Sequence, residues 1–511
     1  MIWTLEKKQA IQDGLVLLSL SAIVLILLCR ETVADPDLWG YMTFGRLFWN
    51  SKTFPYQDIF TYLPTHDRWI YHEWLTGVAL YPIYKFAGGF GLVVLRDLIA
   101  LATLIFLFLA ARTRKSSIAS TLFWLVLPSG FLKMGYVTVL RAQTFSGFFT
   151  ALTIYLLERS RQKGQWSLLL ILLPIQMAWC NLHGGFLVGL GIIAVYFVGE
   201  ACSRRTWWPY LSVFVLSALS TLANPYGFDY WTYLFHAVTL PRSEITEWAS
   251  IFIAYTRHSI SLGEVFYYVA IAILSLRIIV WARWREITPI LLLSVTFLLG
   301  VKHVRHQVFF LMLVAVYLPA LFQNYIKDLQ TQLATARMWL REKAPLAFVD
   351  SRRLAKAFFT TFLILLFCVF LGSSSFSLMI PSQQKGYIIY YPTGALEYMK
   401  KNRLSGNVLT EFAWGEYLIW NLAPLMKVAL DGRYETVYQD HVANEYFDYM
   451  NGKEKRFLAA YAHNLVLFRP DSPAVALIRN SPDWKVIYED MGSIVFRKGE
   501  RDLDKNINNS R

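Results

Sequence analysis

HEWLTGVALYPIYKFAGG (72–89) decides how the chain is threaded. The run is apolar enough to pass for a membrane span, and counting it as one inverts every later loop and puts Arg112, Arg114 and Lys115 outside. It also holds Glu73, Pro82 and Lys85, which suit an amphipathic helix lying in the outer interface. Residues 31–89 then form one long external loop with interfacial elements.

Working outward, apolar blocks predict eleven transmembrane helices near 14–30, 90–111, 118–132, 144–157, 166–179, 185–199, 208–223, 262–281, 288–300, 308–322 and 357–378. With the N-terminus inside, the inner loops hold Arg112, Arg114 and Lys115, then Arg159, Arg161 and Lys163, then Arg204 and Arg205, then Arg277, Arg283 and Arg285. A longer inner segment, 324–356, is basic too. Lys and Arg retained on the cytoplasmic side give this orientation. The composition agrees: 56% of the 511 residues are hydrophobic and 16% charged, where a soluble chain carries about 25% charged residues. The net charge of +14 lies in these short loops, which argues against a nucleic-acid partner. Cys29, Cys180, Cys202 and Cys368 fall in or beside apolar runs and form no disulfide framework. The first run follows Lys7 and Lys8 but shows no small-residue cleavage site, so it reads as an uncleaved helix.

After the last span the composition turns polar. Runs such as NVLTEF, EYLIWNL, NLVLFRP, WKVIYED and GSIVFRK alternate strand-like with helix-like. The expected division is a transmembrane domain over 1–379, a small extracytoplasmic α/β domain over 380–498, and a tail over 499–511. No inverted repeat of a transporter kind is visible.

Polar residues gather on the expected outer side. ADPDLWGYMTFGR (34–46) places Asp35 and Asp37 around Pro36, and the same loop supplies Asp58, His72 and Glu73. NLHGG contributes His183, NPYG (224–227) ends a helix, and SEITEW (243–248) carries Glu247. KHVRHQ (302–307) brings Lys302, His303, Arg305 and His306 together. Each has a structural alternative. Asp35 and Pro36 suit a helix start, HGG a tight turn, and KHVRHQ an interfacial anchor. Yet capping needs one aspartate, and a run of cations and donors matches a phosphate. No HExxH, CxxC, EF-hand or Walker motif appears. A carboxylate pair with a basic cluster can capture the proton of an attacking hydroxyl while cations hold a departing phosphate.

ADPDLWGYMTFGR, RWIYHEWL, CNLHGGF and NPYG together resemble membrane glycosyltransferases of the GT-C superfamily, which use lipid-phosphate sugar donors. The likeness covers most of the chain and implies a GT-C-like α-helical polytopic fold. DPDLWGYMTFGR is similar to a motif of oligosaccharyltransferase catalytic subunits, which implies a catalytic carboxylate at Asp35 with Asp37 as partner or alternative base. FAWGEYLIW (412–420) is similar to their acceptor-gripping WWDYG motif at Trp414, Gly415, Glu416 and Tyr417; a helix start with a packing tryptophan also explains it. LDGRY (430–434) recurs in bacterial relatives, and a strand-end turn with a surface ion pair accounts for it equally. The oligosaccharyltransferases carry a second acidic motif after the third span. Here that loop reads KMGYVTVLRAQ (133–143), with no acid, and Glu244 or Glu247 is a distant substitute. A divalent cation (Mg or Mn) therefore lacks part of its expected ligand set, and no metal or other cofactor is assigned.

The resulting expectation is an inverting glycosyltransferase of the bacterial plasma membrane. It would move sugar from a polyprenyl phosphate or diphosphate to a glycan, lipid or protein acceptor outside. Asp35 and Asp37 would be catalytic, and Arg305, His303, His306 and Lys302 would bind phosphate. His72, Glu73, His183, Glu247, Trp414 and Glu416 would line the pocket. The rival readings are a lipid-linked glycan flippase or transporter, and a non-enzymatic envelope-assembly protein. Transport calls for polar residues along the middle of several spans, and these are almost wholly apolar.

Overall fold

A computed structural model of the chain describes residues 16, 19, 33–129, 140–240, 242, 245–343, 391–453, 456–479 and 481–499, with side chains of the long helix ending at Lys343 described to residue 332. The expected first and last spans, Glu244, three of the seven basic residues of 324–356 (Arg352, Arg353 and Lys356) and nearly all of the tail lie outside these residues.

A helix lies over each of the nine expected spans that fall among the described residues. Three helices are long and apolar enough to cross a membrane: Trp74–Thr113, Leu262–Trp281 and Val304–Gln332. Trp166–Leu182, Phe186–Cys202, Trp208–Ser220 and Ile287–Lys302 are shorter apolar helices. The chain is thus a helical membrane protein. Two local differences from the sequence reading stand out. The 72–89 stretch runs into the next span as one helix, Trp74–Thr113, interrupted by Gly88 at φ 60°, ψ −155°. Only glycine takes that conformation without steric cost, so the break falls where the apolar span was expected to begin. The helix after Gln307 continues to Lys343, because residues 320–343 contain neither Gly nor Pro and are rich in helix formers.

The described residues form two compact units. The first, from 93–227 and 240–343, is the helical bundle. Its helices meet where small residues allow backbones close together; a Cβ on Gly199 would stand 2.7 Å from Thr288 Cα. At one end of these helices, Arg114 bonds Glu158 at 2.9 Å and Glu286 at 2.7 Å, and Arg161 bonds Glu200 at 2.7 Å and Glu286 at 2.6 Å. Tyr196 donates to Glu158 at 2.7 Å and Thr288 to Glu200 at 2.6 Å. Two of the loop arginines that set the orientation in the sequence therefore close a buried network.

The second unit joins residues 33–92 and 228–239 to 391–499. Its sheet has five strands, β1 (Gly406–Thr410), β2 (Met426–Val428), β3 (Leu465–Phe468), β4 (Trp484–Glu489) and β5 (Ile494–Lys498). Their order is β2-β1-β3-β5-β4, with β1 parallel to both neighbours and β5 antiparallel to β3 and β4. The long loop docks on the β2 edge: Val428 N–H donates to Phe60 O at 3.0 Å, and Thr61 Oγ1 to Val428 O at 2.9 Å. An exposed edge offers unpaired backbone groups, and this loop satisfies part of that row. The helix Asp229–Thr239 joins the unit through Arg68 with Asp229 and through Tyr233 with His72 at 3.2 Å.

Candidate active site

Asp35 and Pro36 start the helix Pro36–Ser51. Asp35 is extended (φ −73°, ψ 143°), and its Oδ1 accepts from Asp37 N at 3.1 Å, so it serves as the N-cap. The capping role foreseen as an alternative is thus occupied by Asp35, and Asp37 is the additional acid. One turn on, Gly40 N–H donates to Glu416 Oε2 at 3.1 Å. Trp39 packs at 5.4 Å from Tyr417 and 6.2 Å from Trp420. The Asp-Pro-Asp helix and the helix Gly415–Leu422 therefore meet face to face within this unit.

Around that contact lie several acids. Glu416 is 4% exposed. Burial, and then the charges of Asp37 and Asp431, push its carboxyl well above the usual carboxylate range, against Arg433 and the Gly40 N–H. Tyr71 is likewise raised, first by burial and then by Glu416, Glu73 and Asp37. His72 lies beside Glu73 at 3.6 Å. Trp414 is 2% exposed and packs in the core, as the structural alternative described.

LDGRY departs from the surface ion pair given as one explanation. Arg433 donates to Asp431 from Nε at 2.8 Å and from Nη2 at 2.6 Å, and from Nη1 to Asp58. Tyr438 OH also donates to Asp431, at 2.7 Å. All three charged side chains are buried. The guanidinium lies 5.3 Å from both the Phe60 and Trp69 rings. This closed clamp ties the long loop to the sheet.

In the helical unit, KHVRHQ comes together with residues 245–249. Val304 N–H donates to Ala249 O at 3.1 Å, and His303 Nδ1 lies 2.6 Å from Trp248 O. Trp248 gathers the cluster: the Arg305 and Arg242 guanidiniums each lie 4.6 Å from its ring centre, and the His303 and His306 rings lie at 5.4 and 5.8 Å. Arg141 bonds Glu247 at 2.8 Å. Burial opposes ionising Glu247, but Arg141 and Arg305 outweigh it and hold the carboxyl below its ordinary value. Lys302, Arg305, His303, His306 and Glu247 are thus brought together, and Arg141 and Arg242 join them unforeseen. His183 belongs to a different set: its Nδ1 accepts from Gly185 N at 3.0 Å and meets Ser146 Oγ at 2.6 Å, which Trp179 also reaches.

Among the described residues no three His, Cys, Asp or Glu side chains group as a metal site.

No family model and no curated protein matches the sequence. Solved structures do. The oligosaccharyltransferase of Archaeoglobus fulgidus tethered to an acceptor peptide with an NVT sequon is 12% identical, with a TM-score of 0.57 over 95% of this chain and 74% of that one. Its apo form gives 0.52 over 95% and 75%, also at 12% identity. The chain has their GT-C fold. ArnT from Cupriavidus metallidurans bound to undecaprenyl phosphate is 13% identical, with a TM-score of 0.48 over 96% and 98%.

Proposed function

We propose that this membrane protein is an inverting glycosyltransferase whose donor is a sugar on a polyprenyl phosphate or diphosphate. The acceptor is a hydroxyl-bearing glycan, lipid or protein on the outer face of a bacterial plasma membrane. The acceptor oxygen attacks the anomeric carbon, the bond to the phosphate oxygen breaks, and the electron pair leaves with the phosphate. Asp37 orients the attacking hydroxyl and takes its proton late in the step. Arg305 and Arg242, with Lys302, His303 and His306, neutralise the departing phosphate. Asp35 holds the helix that carries Asp37.

The observation that carries this reading is the seating of Glu416 on the Asp-Pro-Asp helix, two motifs that the oligosaccharyltransferase resemblance selects independently. The shared fold supports it.

The test is the envelope glycan profile of a deletion strain complemented with variants of equal abundance. Asp37→Asn is expected to lower transfer about 10²–10⁴-fold. Asp35→Asn keeps a good N-cap and is expected to retain transfer. Loss in Asp35→Asn alone would move the base to Asp35; wild-type glycan from both variants would remove the carboxylate mechanism.

A further inference from the structure

Gly40 and Gly432 clear the space around Glu416. A Cβ on Gly40 would stand 2.4 Å from Glu416 Cδ and 2.5 Å from both carboxyl oxygens. A Cβ on Gly432 would stand 3.1 Å from Glu416 Oε1 and 3.2 Å from Asp37 Oδ1. One oxygen of each carboxyl therefore borders the space beside Gly432. Gly40 N–H holds Oε2, which leaves Oε1 on the side of Gly432 and Asp37.

The groups facing this carboxyl come from three elements. Asp37 lies on the helix Pro36–Ser51, Asp431 and Arg433 on the turn after β2, and Tyr71, which Glu73 also influences, on the long loop. Arg433 is the cation among them, and its guanidinium already bonds Asp431 and Asp58. A further ionised carboxylate here would be desolvated beside Asp37 and Asp431 with no cation to itself. Burying such a charge is costly, and the group takes up a proton instead.

We propose that Glu416 is a neutral carboxylic acid that offers its Oε1 proton to Asp37 Oδ1 and so positions Asp37. The positioning role rests on Asp37 being the reacting carboxylate; the protonation does not. Glu416 then differs from an acceptor-gripping acid, because its carboxyl is spent on the helix that carries the base. Burial and the neighbouring acids agree in direction, since both raise its proton affinity.

Two measurements on the purified full chain need no substrate. A carboxyl whose folded pKa lies above its unfolded value, about 4.3, stabilises the native state fully below the unfolded value. That contribution is lost as pH climbs through the folded value. Glu416→Gln keeps the shape and neutrality without titrating. It is therefore expected to melt above wild type at pH 8, with the gap shrinking towards pH 5. Taking the gap between the two proteins cancels other titrating groups such as His463, which burial lowers to about 4. Glu416→Ala is expected to melt lower than wild type throughout. Infrared spectra at neutral pH are expected to show a protonated-carboxyl band in wild type that Glu416→Gln lacks. A pH-independent gap with no such band would overturn the protonation.

The positioning role is read in the complemented strain, where Glu416→Gln is expected to restore glycan and Glu416→Ala is not. If the band is present and neither variant restores glycan, the proton stands and the positioning role falls. If Asp37→Asn itself restores glycan, the transfer reading falls instead, and the band still decides the protonation.

Discussion

Two ionic clusters of the helical unit, both built on arginines, differ in what gathers their charges. Around Arg114 and Arg161, three carboxylates meet two guanidiniums, with the Tyr196 and Tyr317 hydroxyls turned towards Glu158. Burial opposes ionising Glu286, yet Arg114 and Arg161 bring its carboxyl down to about 2. Around Trp248, the Arg242 and Arg305 guanidiniums lie over the ring while Arg141 bonds Glu247. The first cluster is held by ion pairs between largely buried side chains and serves as scaffold. The second gathers guanidiniums and imidazoles about one tryptophan ring, the groups proposed above for a departing phosphate. The clamp of Arg433 by Asp431 and Asp58 belongs with the first kind.

The contrast can be broken from the scaffold side first. Arg161→Ala strands buried carboxylates and is expected to cost about 3–5 kcal/mol, read as a collapse of thermal stability or loss of folded protein. Arg305→Ala and Arg242→Ala are expected to leave melting nearly unchanged. They should weaken binding of a probe such as farnesyl phosphate by about 1.5–3 kcal/mol each, the range for a hydrogen bond to a charged group, with the remaining affinity falling as salt rises. Melting losses in those variants as large as in Arg161→Ala would make the second cluster scaffold as well. Asp35→Ala removes an N-cap and is expected to cost about 1 kcal/mol, recovered by Asp35→Asn. Smallest of all, Arg479→Ala breaks an exposed pair with Glu489 and is expected to change stability by less than about 1 kcal/mol.

The helices were legible in the sequence because each apolar block is continuous and basic loops recur at every second connection. The Gly88 break was legible as the change from an amphipathic run to an apolar one. The grouping of residues 33–92 with 391–499 was not, since it rests on edge pairing such as Thr61 with Val428, for which local pattern carries no signal. Arg433 looked like half of a surface pair because its second partner, Asp58, lies 375 positions away. Glu416 was picked out by motif, but its contact with Gly40 spans 376 positions, so its burial against a second acid could not be read. Arg141 stood in plain view as the charged residue of LRAQ, and its pairing with Glu247 emerged only from the fold. KHVRHQ was found because its composition alone is unusual.

The most direct measurement is sugar transfer from polyprenyl-phosphate-linked donors in membranes carrying wild type, Asp37→Asn or Arg305→Ala at equal abundance. Product from wild type, with large losses in both variants despite unchanged melting, is the predicted result. Wild-type product from Asp37→Asn, or no product from any protein across both monophosphate and diphosphate donors, would contradict glycosyl transfer at these residues.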